Sequence, residues 1–260
     1  MGILNATPDS FYVGNRTQSI DAAIEKAGEM LASGAEILDV GGYSTRPGAD
    51  VVQEAEEHQR VVPLVRALRT AFPDVRVSVD TFRASVAEAA VEEGACMIND
   101  VSGGTLDDKM FETVALMGVP YVLTHMRGTP QTMTGLTEYE DLGAEIIRDL
   151  SAKLQQLRDL GALDVVIDPG FGFAKTAAQG FYLLNNLHIF KVLNCPLLVG
   201  VSRKSMIWRT LGITPEESLN GSTVLHTAAL LSGAHILRVH DVKEATETIR
   251  LVEALNQRNE

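Results

Sequence analysis

Short apolar runs recur along this chain about every thirty residues, the length of one strand plus one helix. They read ILN at 3–5, EILDV at 36–40, VRVSVD at 75–80, MIND at 97–100, YVLTH at 121–125, DVVID at 164–168, LLVGVS at 197–202 and HILRVH at 235–240. Near-continuous runs of this kind indicate strands covered on both faces, as in a parallel sheet. The segments between them carry helical period. From Ser19, read as an N-cap, apolar residues recur at Ile20, Ala23, Ile24, Ala27, Met30 and Leu31, with Gly34 just beyond the end. Leu142, Ile146, Leu150, Leu154 and Leu157 mark the longest helix, and Val242, Ala245, Ile249 and Val252 the last. No linker or low-complexity stretch interrupts the repeat. The pattern predicts one α/β domain over residues 1–260, closed as a single (β/α)8 TIM barrel. An open doubly wound sheet would carry a glycine-rich phosphate loop after its first strand, where this chain has NATPDSF. Four residues precede Asn5, about 13 Å of extended chain. The first strand is thus expected to be trimmed, which puts closure of the barrel at issue.

Charge narrows the partners. The formal net charge is −12, from 34 acidic and 22 basic residues. Nucleic acid and anionic membrane both demand a basic footprint, so neither is expected. No apolar run approaches the ~18 residues of a membrane span, and no cleavable leader is expected. Cys96 and Cys195 lie far apart in apolar stretches. They are expected to be buried packing residues in a reducing cytoplasm rather than a disulfide.

The residues near the strand ends are Asn5, Asp39, Asp80, Asn99, His125, Asp168, Ser202 and His240. In a barrel of this kind the carboxyl ends form the active-site mouth. Asp80, Asn99 and Asp168 supply two carboxylates and one amide, a set able to read the N–H edge of a flat heterocycle. A metal cage from two Asp and His125 is the alternative reading of the same residues. A second group is basic: Arg46 in GGYSTRPGAD, Ser202, Arg203, Lys204 and Ser205 opening a helix, and Arg238 with His240 in RVH. Arg forks and a histidine beside a helix start make an anion site, and barrels commonly bind phosphate after strands seven and eight. A phosphorylated or pyrophosphorylated substrate is the expectation.

Together, MGILNATPDSF, DVGGYSTRPGA, VSVDT, INDVSGG, THM, DPGFGF, VGVSRKSM and RVHDV resemble the dihydropteroate synthase family, in its order and spacing. The resemblance implies a barrel enzyme of folate synthesis that joins a pterin methyl pyrophosphate to p-aminobenzoate and releases pyrophosphate. By matching position, Asp80, Asn99 and Asp168 would hold the pterin edge, with Lys204 and Gly200 on the strand-seven side. Asn5, Arg46, Arg238 and His240 would grip the pyrophosphate, with Asn5 near an accompanying Mg²⁺. Phe11, Thr45, Pro47 and Ser205 would frame the p-aminobenzoate pocket, and Met126 and Phe173 would pack beside the two rings. The resemblance also implies a homodimer through the later helices. An aniline nitrogen is neutral at pH 7, so no strong base and no covalent nucleophile is required. Dissociative displacement, with cations stabilising the departing pyrophosphate, is the expected route. Where the family's first loop usually carries Asp-Gly, this chain has Val13-Gly14. That departure leaves a catalytically impaired pterin binder as one alternative. A corrinoid-linked methyltetrahydrofolate methyltransferase is another, although STRPG, SRKS and RVH argue against it.

Overall fold

The computed structural model describes residues 1–6, 16–43 and 51–256. Strands and helices alternate: β1 Gly2–Asn5, α1 Arg16–Ala32, β2 Ile37–Gly41, α2 Glu54–Ala71, β3 Arg76–Asp80, α3 Ala84–Glu92, β4 Met97–Asp100 and α4 Met110–Met117. They continue through β5 Tyr121–Thr124, α5 Leu142–Asp159, β6 Val165–Asp168, α6 Ala177–Asn185, β7 Leu198–Val199, α7 Ser205–Leu211, α8 Leu219–Leu231, β8 Ile236–Leu237 and α9 Val242–Asn256. The first six strands pair in chain order and β7 pairs with β8, every pairing parallel. Bridges Ile167–Leu197 and Gly2–Val239 join the two pieces into a ring. The short first strand therefore closes the barrel. The Ile3 N–H donates to Val239 O at 2.9 Å, the Val239 N–H to Met1 O at 2.9 Å, and the Met1 ammonium to Leu237 O at 3.0 Å.

Period-two alternation along each strand divides the apolar residues into two cores. Outward-facing Leu4, Leu38, Val40, Val77, Val79, Ile98, Leu123, Ile167, Val199 and Leu237 pack against the helices in the main cluster, with Ile146, Leu150, Leu154 and Leu157 of α5. Inward-facing Met97, Val122, Val166 and Leu198 form a separate plug inside the ring, with Met1, Ile37 and Ile236 beside it. Above the plug the inward positions turn polar, and the site is built there.

Three sequence expectations are corrected. β7 and β8 are two residues each rather than six. The last backbone bond between them is Arg238 N–H to Val199 O at 3.0 Å. Beyond it the Ser202 hydroxyl accepts the His240 N–H at 3.1 Å, replacing the ladder with a side chain. Ser19 lies inside α1, which starts at Arg16; a lone Ser ahead of an apolar stripe locates a helix start only to within a turn. Gly34 does terminate that helix region, at φ +98°, with the Ala35 N–H on Met30 O at 2.9 Å. Finally, both cysteines are free, and neither is buried: Cys96 is exposed and Cys195 half-buried. Cys96 precedes β4 at the amino-terminal rim, where a strand's first residues meet solvent.

Candidate active site

Each residue expected from sequence to read a heterocycle edge sits on the last inward position of its strand. Asp80 ends β3, Asn99 is the third residue of β4, and Asp168 ends β6; all three are buried. Beneath them lies Asp39 of β2, with no exposed surface. Its Oδ2 accepts from Asn99 Nδ2 at 3.0 Å and from Arg238 Nε at 2.6 Å. Arg238 then reaches Asp80, with Nη2 on Oδ2 at 2.5 Å. Among the described residues Asp39 Oδ1 has no partner, although buried polar atoms are almost always satisfied. The Asn99 amide is oriented by its bond to Oδ2, with Nδ2 facing Asp39.

Lys204 caps α7 from the β7 side. Its ammonium donates to Phe171 O and lies 4.8 Å from the Phe173 ring centroid. Gly200 separates it from Arg238, for a Cβ there would stand 3.9 Å from both Arg238 Cβ and Lys204 Nζ. Three buried carboxylates, Asp39, Asp80 and Asp168, thus share one recess with two cations. Burial pushes the Asp80 carboxyl up to about 7; Arg238 opposes this and Asp39 adds to it. Asp168 is raised by burial against the pull of Lys204, and burial lowers Lys204 to about 8. Burial disfavours the Arg238 cation too, yet Asp39 and Asp80 outweigh it and hold its pKa above the ordinary value. Such opposed shifts are typical of a recess built to exchange its internal pairs for a polar ligand.

Met126 and Phe173 do come together, in a small apolar cluster with Met133, Ala174 and Leu106 that walls the mouth. His240 Nδ1 lies 3.1 Å from the Ser202 hydroxyl. Ser205 is the exposed first residue of α7. Phe11, Val13, Thr45, Arg46 and Pro47 lie outside the described residues. Arg203, grouped with the anion cluster on sequence, is bound elsewhere. At φ +53° it turns away to make a two-pronged pair with Asp241 at 2.8 and 2.7 Å. It also donates to the carbonyls of Pro215 at 3.2 Å and Glu216 at 2.9 Å.

Sequence reasoning left Asp39 and His125 unassigned and missed Lys175. The buried Lys175 ammonium lies 2.8 Å from His125 Nδ1. Burial, with Lys175 next, lowers His125 to about 2. That occupied imidazole does not complete a metal cage with the two aspartates. Among the described residues no group of three or more His, Cys, Asp or Glu could hold a metal ion. Asn5, half-buried at the end of β1, offers a single hard oxygen. This suits a Mg²⁺ held chiefly by substrate phosphates and water, the usual arrangement for that ion.

Comparison with known proteins identifies the family. The family model described as pterin binding enzyme matches residues 1–240. Dihydropteroate synthase of Synechocystis sp. is 44% identical over 258 residues, covering 98% of this chain and 89% of the relative. Xanthomonas albilineans dihydropteroate synthase, solved with 4-aminobenzoic acid, superposes with a TM-score of 0.92 at 38% identity, covering 99% of this chain and 93% of that one. The same organism's enzyme in complex with 7,8-dihydropteroate gives 0.89 at 35% identity, covering 99% and 93%. This chain belongs to the pterin-binding enzyme family.

Proposed function

We propose that the chain catalyses the dihydropteroate synthase reaction of folate synthesis. It joins 6-hydroxymethyl-7,8-dihydropterin pyrophosphate to p-aminobenzoate and releases 7,8-dihydropteroate and pyrophosphate. The observation that carries this reading is the buried Asp80–Asn99–Asp168 set, flanked by Lys204 and Arg238, inside a barrel whose relatives carry that name. A pterin edge presents an amidine-like row of N–H groups and acceptors, and two carboxylates plus an oriented amide complement it. Lys204 donates to the ring from the opposite side, and Met126 and Phe173 exclude water beside it.

The bond from the pterin methylene to the pyrophosphate oxygen breaks first. Negative charge collects on the leaving group while the methylene becomes electron-poor. Arg238, Arg46, His240 and Asn5 are the groups assigned to that charge, stabilising it more in the transition state than in the bound substrate. The neutral amine of p-aminobenzoate, held by Phe11, Thr45, Pro47 and Ser205, then forms the carbon–nitrogen bond and loses its proton. A Mg²⁺ beside Asn5 would neutralise pyrophosphate charge. No protein nucleophile takes part.

Pyrophosphate release tests this directly. It should require both substrates and should fall by well over tenfold when EDTA removes Mg²⁺. Pterin binding with no release under any metal condition would reverse the conclusion. A homodimer belongs to the same proposal. α8 exposes Val224 and Leu231, seven residues apart on one stripe, and the adjoining α9 exposes Leu251 and Leu255, four apart. Light scattering should give twice the chain mass.

A further inference from the structure

The loop from Asp168 to Lys175 is unusual in its backbone. Gly170, Gly172 and Ala174 all have positive φ, at +76°, +79° and +48°. Two carbonyls of this loop converge on one cation. Lys175 Nζ donates to Gly170 O at 3.0 Å and to Phe173 O at 3.0 Å. A third contact, at 2.8 Å, is with His125 Nδ1, and His125 O lies further off at 3.4 Å. An ammonium has three protons and finds three close acceptors. The bond to Nδ1 leaves the imidazole proton on Nε2. Among the described residues no carboxylate pairs with this ammonium, and only 8% of the residue is exposed. A charge buried this way persists only where oxygen and nitrogen lone pairs replace its water.

What the ammonium holds is the pterin wall. The Gly170 N–H bonds Asp168 Oδ1 at 2.8 Å, so the residue that gives Lys175 a carbonyl also aims the carboxylate. Phe173, whose carbonyl is the second acceptor of the cage, carries the ring beside Lys204. His125, the third acceptor through its ring nitrogen, precedes Met126 of the same wall. Tyr139 OH, on Ala174 O at 3.0 Å, pins the loop's far end. We propose that Lys175 is a positioning residue: its ammonium fills an internal cage of two main-chain oxygens and the His125 ring nitrogen and so sets the geometry of Asp168, Phe173 and Met126 for the pterin. This rests on the pterin-binding reading for its functional consequence, but not for the cage itself.

The test pairs a ligand-free readout with a binding one. Lys175→Ala removes, beyond Cβ, the equivalent of propylammonium. In that variant hydrogen exchange of the 170–174 amides should quicken by about tenfold or more, and calorimetric affinity for 6-hydroxymethylpterin should fall by a similar factor. Millimolar propylammonium should restore both, whereas 1-propanol, equal in length and uncharged, should not. Lys175→Met should resemble the alanine variant without rescue. Unchanged exchange and affinity in Lys175→Ala would overturn the proposal, as would equal rescue by propanol. Should those variants fail to fold, Lys175→Arg decides. Its planar fork cannot meet three converging acceptors, so wild-type exchange protection in that variant would equally overturn it. If the wild-type protein does not bind the pterin while the loop still loosens and is rescued, the cage stands and the pterin reading falls.

Discussion

Asp39 occupies the base of the recess, where one oxygen holds both the Asn99 amide and the Arg238 guanidinium. Removing it frees two neighbours at once. Asp39→Asn keeps the size but loses the charge that pairs Arg238, and charge-assisted bonds of this kind contribute roughly 1.5–3 kcal/mol. Pterin affinity measured by calorimetry should therefore drop about 10- to 100-fold, with a smaller change in the KM for p-aminobenzoate. Arg238 cannot be treated as a pyrophosphate grip alone. Arg238→Ala leaves Asp39 and Asp80 buried without their cation, so pterin binding should weaken along with turnover. Loss of turnover at undiminished affinity would contradict that. Asp80 adds a pH dependence. Its carboxyl is raised from 3.8 to about 7 in the folded protein, chiefly by burial. The native state thus holds a proton that the unfolded chain releases near pH 4. The stability contributed by this group is present below that pH and is lost as pH rises to about 7. Urea titrations of wild type and Asp80→Asn across pH 4–8 should show a shallower slope in the variant.

The loops after the strands decide where these side chains stand, and several are packed backbone against backbone. Gly103, after β4, has φ +57°, and a Cβ there would lie 2.2 Å from Thr124 O. Gly103→Ala should cost at least the ~1–3 kcal/mol of a strained left-handed residue, with more from the displaced β5 end, read as a lowered urea midpoint. These loops explain what the sequence showed and what it hid. Asp80, Asn99 and Asp168 were legible because a polar residue closing an apolar run is a strong local signal. Lys175 was hidden because its partners are mainly main-chain carbonyls, which every residue possesses. Arg203 was misread since its pairing with Asp241 depends on a positive φ that the SRKS string does not announce. At α6, immediately after Lys175, Thr176 and Gln179 form a reciprocal capping box.

Over the whole molecule, two cores with different tasks support the mouth. The outer one binds helices to the ring, and the inner plug of Met97, Val122, Val166 and Leu198 forms the floor below the polar layer. Leu198 is wholly buried in that plug. Leu198→Ala should cost about 2–5 kcal/mol through lost burial and a residual cavity, seen in chemical denaturation; a loss below 1 kcal/mol would mean that the floor collapses to fill the gap. By itself the sequence determined the architecture: the strand–helix period, the doubly covered strands and the polar strand ends all follow from local periodicity, which needs only the chain. Only the tertiary structure decided the partners within the mouth. Asp39 meets Arg238 across 199 positions of sequence, and Lys175 meets His125 across 50. Such pairings arise when the ring closes and expels water, because a buried charge must take whatever lone pair or proton the neighbouring strand supplies.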